Sequence, residues 1–531
     1  MARTQPVSPP AAYSLQWGDL HKHLTGPGTD ISRLDDIVSA GADHLDFLAV
    51  FCYPFKWYRK GRERGIREET VGNRPEFANW WAQIQSTAQQ WLSPDEFVTF
   101  PAYEWHGNRR RWGDHHVVYR TEGYPLDDEW ELPALCENMA PRDALVIPHH
   151  TGYLPGERGK DWDTFDPELS PVTEVYSSHG SSEGAATPVP MDENADMGPR
   201  TSGGTFRDAL DRGIRVGAVA SNDGPGLPGT WNNGIVGLWA TELTRDGIWD
   251  AIRERRTYGV TGDRIELWWE LDGTPMGGLL EASDSVTARI SVDCPQPLDR
   301  VELVHNGRVA RTYTHPAPDP SGANGLHRVL VEFGWGPTSE YGDFDSTECS
   351  WSGTVNVTNG DLRRVWPRFV GLGQTHELTD DGCHFDLVTA RGEPADRILP
   401  ESAPKSHRQA LIVEYVGTID TDLVVSLDDH DDSTVSHEAA VEDTHLFPFL
   451  EESWDRLATE FDLGRDDIDN EDIVYHNARK VRINRAFHQS ACGAGVVFDD
   501  LPVADGWNYY YVRASQDDGQ YAWSSPIWID N

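Results

Sequence analysis

The sequence predicts an α/β protein in two parts. A strand–helix alternation of the parallel-barrel or doubly wound kind occupies residues 1–264, and a mainly β, sandwich-like domain occupies 265–531. Three observations predict it. At 531 residues the chain exceeds what one ordinary hydrophobic core organises. Its first half alternates short apolar runs with amphipathic segments. Past Arg264 the helical period gives way to short β runs broken by Gly, Pro and Asp.

In chain order, the strand-like runs are 13–20, 47–51, 97–103, 117–119, 144–148, 172–176, 216–221 and 235–240. A helix fits 31–40, where Ile31, Leu34, Ile37 and Val38 share one face, with Asp30 as N-cap and Gly41 as stop. Others fit 76–92, 205–211 and 245–255, the last capped by Thr244. In folds that alternate this way, chemistry gathers at the carboxyl ends of the strands. In the second half, residues 300–313 read as strand, Asn306-Gly307 turn, strand, and β runs continue to 521–530. Two acidic stretches, 428–432 and 466–472, read as solvated loops, and no internal repeat is present.

Composition narrows the function classes. The chain carries 87 acidic residues against 45 basic ones, for a net charge of -42, and only six of the basic residues are lysines. An acid-rich, lysine-poor surface suits concentrated salt, where the Debye length falls to roughly 3 Å and self-repulsion is screened. A salt-adapted host is therefore expected; the competing reading is an acidic surface for a partner. Either way, binding to nucleic acid or to an anionic membrane is disfavoured. The six cysteines are scattered without a C-x-x-C, which fits neither a zinc ribbon nor a secreted disulfide frame. No apolar leader and no run of about 20 apolar residues appears, so a soluble, cytoplasmic protein is expected.

The chemistry is signalled by placement rather than by number, since nine of the 20 histidines precede residue 265 and eleven follow it. In the first half, His and acidic residues repeatedly close a strand. The first strand ends Gly-Asp-Leu-His-Lys-His (18–23), and residues two apart on a strand share a side, so His21 and His23 can grip one ion. The third ends in Glu104, the 144–148 run in His149 and His150, the 172–176 run leads to His179, and the 216–221 run to Asp223. Each piece alone suits a structural role equally well, and only one of His149 and His150 need be a ligand. Together they describe a metal constellation whose imidazole and carboxylate donors suit Zn, Mn or Fe. Basic residues cluster near the same rim: Lys22, a group at Lys56, Arg59, Lys60, Arg62, Arg64 and Arg67, and Arg109, Arg110 and Arg111. They fit focusing of a small anionic substrate, or equally a set of salt-bridged loops. His116 is a candidate general acid, substrate contact or support.

The motifs Gly-Asp-Leu-His-Lys-His, Ala-Tyr-Glu-Trp (102–105), Ile-Pro-His-His-Thr-Gly-Tyr (147–153), Glu-Val-Tyr-Ser-Ser-His-Gly-Ser-Ser-Glu (174–183) and Ala-Ser-Asn-Asp-Gly (220–224) resemble the polymerase and histidinol phosphatase (PHP) superfamily. More closely, with residues 255–265 and 522–529, the chain resembles its DUF3604 branch. The resemblance implies a distorted (β/α)7 barrel with a multinuclear metal site that often hydrolyses phosphoesters. It assigns His21, His23, Glu104 and Asp223 to one metal, with Glu104 bridging to a second held by His149 and His179. Where the family usually has Thr-Asp-His, this chain has Phe51-Cys52-Tyr53, and where it usually has Asp-x-His, the chain has Asp223-Gly224-Pro225. Both missing histidines belong to a third metal, so two divalent transition ions (Mn, Zn or Fe) are expected.

The resulting expectation is a metal-dependent hydrolase, foremost a phosphomonoesterase or phosphodiesterase. Catalytic work falls to Glu104, His116 and Asp223, and substrate contacts to Lys22, Arg109, Arg111 and His150. The alternatives are hydrolysis of an amide, lactone or sulfate ester, and a decayed, non-catalytic binding protein.

Overall fold

A computed structural model describes the chain except residues 1, 24–30, 53–74, 106, 128, 192–196, 225–226, 282–283, 318–323, 339–341, 343, 392–405, 429, 468–471 and 531, and the side chains of 75–77. The first eleven strands are β1 (Ala2–Thr4), β2 (Ser14–Asp19), β3 (Phe47–Cys52), β4 (Val98–Trp105), β5 (Asp114–Tyr119), β6 (Ala144–His149), β7 (Val172–Ser177), β8 (Gly180–Ser181), β9 (Gly217–Ala220), β10 (Ile235–Ala240) and β11 (Thr257–Val260). The helices among them are α1 (Leu34–Ala42), α2 (Pro75–Gln90), α3 (Arg109–Trp112), α4 (Leu132–Met139), α5 (Phe206–Asp211) and α6 (Arg245–Arg253). The expected elements form here, and Thr244 caps α6 through the Gly247 amide. Helix α4 was not foreseen, because its two turns are too short to show a period. Gly41 does not stop α1. It is packed against Pro228 and Leu48, and the helix runs on to Ala42.

One sheet runs in the order β11-β10-β2-β3-β4-β5-β6. Its centre is parallel, β2 with β3 and β3 with β4. All of β3 and β4 is buried, which is why Phe-Leu-Ala-Val-Phe reads as an unbroken apolar run. The flanks are antiparallel: β4 with β5, β5 with β6, and β10 with both β2 and β11. Strands β7 and β9 pair in parallel in a separate small sheet. The Thr173 hydroxyl donates to the Pro148 carbonyl (3.0 Å), and Thr257 to Ala218 (2.9 Å), joining that small sheet to β6 and β11.

The architecture is thus mixed α/β with much strand, and the distorted (β/α)7 barrel that the family resemblance implied does not appear among the described residues. The physical reason lies in the connections. The short link between β4 and β5 holds, among its described residues, only the one-turn α3, and a parallel crossover needs a dozen or more residues with a helix. The chain therefore turns straight back. Periodicity located a strand near 117–119 but carried no direction, and β5 in fact begins at Asp114.

The main sheet continues past residue 264. Strand β11 pairs with Tyr521–Ser524, which pairs with Asn508–Gln516, which pairs with Leu298–His305. A second sheet, built from Glu266–Leu271, Ser285–Asp293 and Gly493–Pro502 with β1 at its edge, shares the buried cluster that holds Trp268, Ile290, Val496 and Phe498. A further sandwich is inserted between Arg308–Thr314 and Gly493–Pro502. Its six-stranded sheet includes Gly325–Gly334 and Arg408–Gly417, its five-stranded sheet includes Cys349–Thr358, and Val331, Phe333, Trp351, Leu411 and Val413 fill its core. The Asn306-Gly307 turn forms with both residues at positive φ, 45° and 73°, the conformation that a two-residue hairpin of this twist requires. No helix among the described residues is long and apolar enough to cross a membrane.

Candidate metal centre

The ends of β2, β4, β6, β7 and β9 and the beginning of β5 converge on one buried group of side chains. His21 and His23 follow β2. Both approach the same two carboxylates: His23 Nε2 lies 3.1 Å from Glu104 Oε2 and 3.4 Å from Asp223 Oδ1, and His21 Nε2 lies 3.9 and 3.4 Å from those atoms. The other oxygen of each carboxylate faces a different imidazole group. Glu104 Oε1 is 3.8 Å from His149 Nε2, while Asp223 Oδ2 is 3.2 Å from His179 Nε2 and 3.9 Å from His150 Nε2.

Strand β5 reaches the cluster by its amino end because it is antiparallel. His116 stands opposite Glu104 in one ladder and Asp114 opposite His149 in the next. Alternation sends Asp114 and His116 to the same side. His115 points the other way, where Lys160 Nζ meets its Nε2 at 3.0 Å. His116 and His149 face each other through their Nδ1 atoms at 3.2 Å, and both rings lie near His21.

Two groups hold the rim in shape. Asp19 is fully buried, and its carboxylate accepts the amides of His21, Asn222 and Gly229, tying the end of β2 to the segment after β9. Glu174 accepts from His21 Nδ1 at 3.1 Å, which turns the His21 Nε2 toward the carboxylates. His150 and Asp223 adopt positive φ, 31° and 49°, a region costly for residues other than Gly, Asn and Asp. Asp223 is pinned there by its amide on the His21 carbonyl (2.7 Å) and by the Ser178 hydroxyl on its own carbonyl (2.7 Å).

The electrostatics match the geometry. Burial, then the nearby charge of His21 or of a neighbouring histidine, holds His116 and His149 well below the usual imidazole range, so both are neutral. Burial and the His179 and Arg158 charges do the same for His150. Burial also lowers His21, but Asp223, Glu104 and Glu174 outweigh it and raise it well above the usual range. Asp223 is pushed well up by burial and by Glu174, Glu104 and Asp114, against the pull of His21.

The residues fit metal ions. His21 Nε2, His116 Nε2 and His149 Nε2 are buried and find no hydrogen-bond partner among the described residues, although buried imidazole nitrogens ordinarily have one. The sets His21–His23–Glu104, His150–His179–Asp223, His21–His116–His149, Asp114–His149–His150 and His21–Glu174–Asp223 each present ligand atoms within 4.8 Å of one another. Separations of 3–4 Å between such atoms leave room for an ion bound at about 2.0–2.2 Å to each.

Of the residues singled out in sequence, His21, His23, Glu104, His116, His149, His150, His179 and Asp223 come together. Arg109 reaches the rim, where its guanidinium meets Glu104 (3.1 Å) and Asp114 (3.2 Å). Lys22 and Arg111 do not join the group as substrate contacts. Lys22 is buried, donates to Asn222 Oδ1 and the Gly224 carbonyl, and burial lowers its pKa to about 7. Arg111 is exposed and lies over the Trp112 ring. The Lys56–Arg67 group, Tyr53 and Pro225 fall outside the described residues. Cys52 is a buried thiol pushed up to about 12 by burial, and Phe51 packs its ring against His21 and His116. Sequence reasoning missed Asp19, Asp114, Arg158 and Glu174. Glu174 had a signal, a charge within the apolar run Val-Thr-Glu-Val-Tyr. Asp114 had one too, two residues before His116 on the same face.

With this geometry in place, comparisons with known proteins add context. A family profile described as "protein of unknown function (DUF3604)" matches residues 226–270. An uncharacterized protein of Chlamydia pneumoniae is 27% identical over 258 residues, 44% of this chain and 40% of that protein. Uncharacterized proteins of Chlamydia muridarum and Chlamydia trachomatis are each 26% identical over 34% and 35% of this chain, and those alignments span 32% of each relative. Among solved structures, a two-domain protein from Bacteroides vulgatus, described as containing a predicted PHP-like metal-dependent phosphoesterase, covers 82% of this chain and 99% of its own at 12% identity and a TM-score of 0.32.

Proposed function

We propose that the chain is a metal-dependent hydrolase of small anionic esters, foremost phosphoesters, with two divalent transition ions. The observation that carries this reading is the two-sidedness of Glu104 and Asp223, each of which directs one oxygen at His21 and His23 and the other at a separate imidazole group. His21, His23, Glu104 and Asp223 would hold one ion, and His149, His150 and His179 with the far oxygens would hold the other. Ions bound there would supply Lewis acidity, polarising an ester and acidifying water. The chain's own groups do the rest. Glu174 fixes the tautomer of His21, Arg109 offsets charge at Glu104 and Asp114, and His116, neutral, holds a buried, uncommitted Nε2 beside the reacting space, placed to contact the substrate. The acidic surface fits a salt-rich cytoplasm, where such a charge is screened.

The test pairs metal content with turnover on the same preparations, using chromogenic phosphomonoesters, phosphodiesters, sulfate esters and lactones with added Mn²⁺ or Zn²⁺. The wild type should hold about two ions and cleave a phosphoester fastest. Glu104→Gln keeps the shape but not the charge, so it should fold, lose at least one ion and lose most turnover. Two ions and near-normal turnover in Glu104→Gln would overturn the bridging role.

A further inference from the structure

A second cleft, of about 370 Å³, opens where the segment before β10 and the C-terminal strands meet the inserted sandwich, and it shares no residue with the metal centre. Its volume lies within the roughly 300–1,000 Å³ of small-molecule sites. Trp231 comes to it from the segment before β10, Asp518 from the turn between Asn508–Gln516 and Tyr521–Ser524, and Arg408, Arg482 and Arg485 from the inserted sandwich.

The hydrogen-bond balance of the lining is one-sided. Its carboxylates are already engaged: Glu332 takes Arg408 on one oxygen and both Arg482 and Asn484 on the other, and Asp518 takes Arg368. Its donors are not. The Arg485 guanidinium gives Nε to the Val441 carbonyl (2.9 Å) and lies over the Phe487 ring, and among the described residues no carboxylate pairs with it and its two terminal nitrogens hold no hydrogen bond. Thr444 Oγ1 accepts the Arg485 amide (3.1 Å) and Ser406 Oγ accepts the Arg408 amide (3.2 Å), which leaves both hydroxyl protons to give. Free donors, an Arg fork and an aromatic wall together describe a receptor for an oxyanion attached to carbon.

We propose that this cleft binds a small organic anion, a carboxylate or a phosphate ester, with Arg485 gripping the oxyanion, Ser406 and Thr444 completing its hydrogen bonds, and Trp231 bordering the carbon skeleton. The site is separate from the metal centre and stands whether or not the chain is a hydrolase.

The test is calorimetric titration of the full chain, stripped of metal and dialysed free of chelator, with succinate and with glycerol phosphate at fixed ionic strength. Saturable one-to-one binding of at least one is expected, and which of the two binds names the source of the oxyanion. Arg485→Gln should weaken it roughly tenfold or more, as loss of a charged hydrogen bond does, while metal content stays as in the wild type. Hydrogen exchange on the wild type supplies a reading independent of that variant's folding: the bound anion should protect residues 406–410 and 482–487. Absence of saturable binding by both anions, unchanged affinity in Arg485→Gln, or protection confined to other segments would each overturn the proposal.

Discussion

Two buried polar clusters sit close together in sequence and have opposite balance. Glu183, fully buried, receives Arg207 (3.0 Å), Tyr511 (2.6 Å) and Arg513 (2.9 Å) on one oxygen and Trp523 (2.9 Å) and Arg513 (3.0 Å) on the other. Burial pushes its carboxyl up, but Arg513, Arg207 and the hydrogen bonds outweigh burial and hold it below the usual range. Four residues earlier, His179 belongs to a cluster whose carboxylates face imidazoles and one another, and in which His21, His116 and His149 keep uncommitted nitrogens. The first cluster is complete as it stands and clasps the segment after β8 to the C-terminal strands. The second leaves buried imidazole nitrogens without a partner among the described residues, which a bound ion would engage. The census of donors and acceptors thus separates two buried sets of polar side chains that burial alone would class together.

The largest expected effect lies in the complete cluster. Glu183→Gln leaves Arg207 and Arg513 buried without their shared counter-charge, which should cost about 3–5 kcal/mol in urea unfolding. A loss below about 1 kcal/mol would break the comparison from that side. Next comes metal addition to the stripped wild type. Ions that bind only the folded chain should stabilise it by about 2.7 kcal/mol at a hundredfold excess over Kd. The sign of the pH dependence follows from His21. Its imidazole is held well above the usual range and so is protonated at neutral pH without metal, and a ligand must shed that proton. Binding should therefore release protons and weaken as pH falls, which calorimetry in buffers of different ionisation enthalpy reads directly. A pH-independent affinity would show that His21 is not a ligand.

Much of this site was legible in sequence because strand ends carry it. Placement of His21, His23, Glu104, His149, His150, His179 and Asp223 after apolar runs required only that those runs be strands whose ends share a rim. What stayed hidden depends on direction and on distance. The antiparallel course of β5 brings Asp114 and His116 to the rim by their amino side, and an apolar pattern is the same read either way. The Glu183 cluster joins partners more than 300 residues apart, Tyr511, Arg513 and Trp523, and no local period records such pairings. The two sandwiches of the second half were read as one, because an insertion of strands among strands leaves the alternation unchanged.

The smallest expected change is also the sharpest test of the comparison. Without metal, burial and the neighbouring Glu174, Glu104 and Asp114 push the Asp223 carboxyl well above its usual range against the pull of His21, so its charge is costly to keep. An amide of the same shape removes that cost. The backbone agrees, because Asp223 sits at a φ of 49°, where asparagine is among the few residues at ease. Asp223→Asn in the stripped chain should therefore unfold within about 1 kcal/mol of the wild type. Its effect should appear only on adding Mn²⁺ or Zn²⁺, when the stabilisation seen in the wild type is lost, because an amide supplies no charge between the two imidazole groups. A cost of about 3 kcal/mol or more without metal, like that expected for Glu183→Gln, would make Asp223 a structural carboxylate and dissolve the distinction between the clusters.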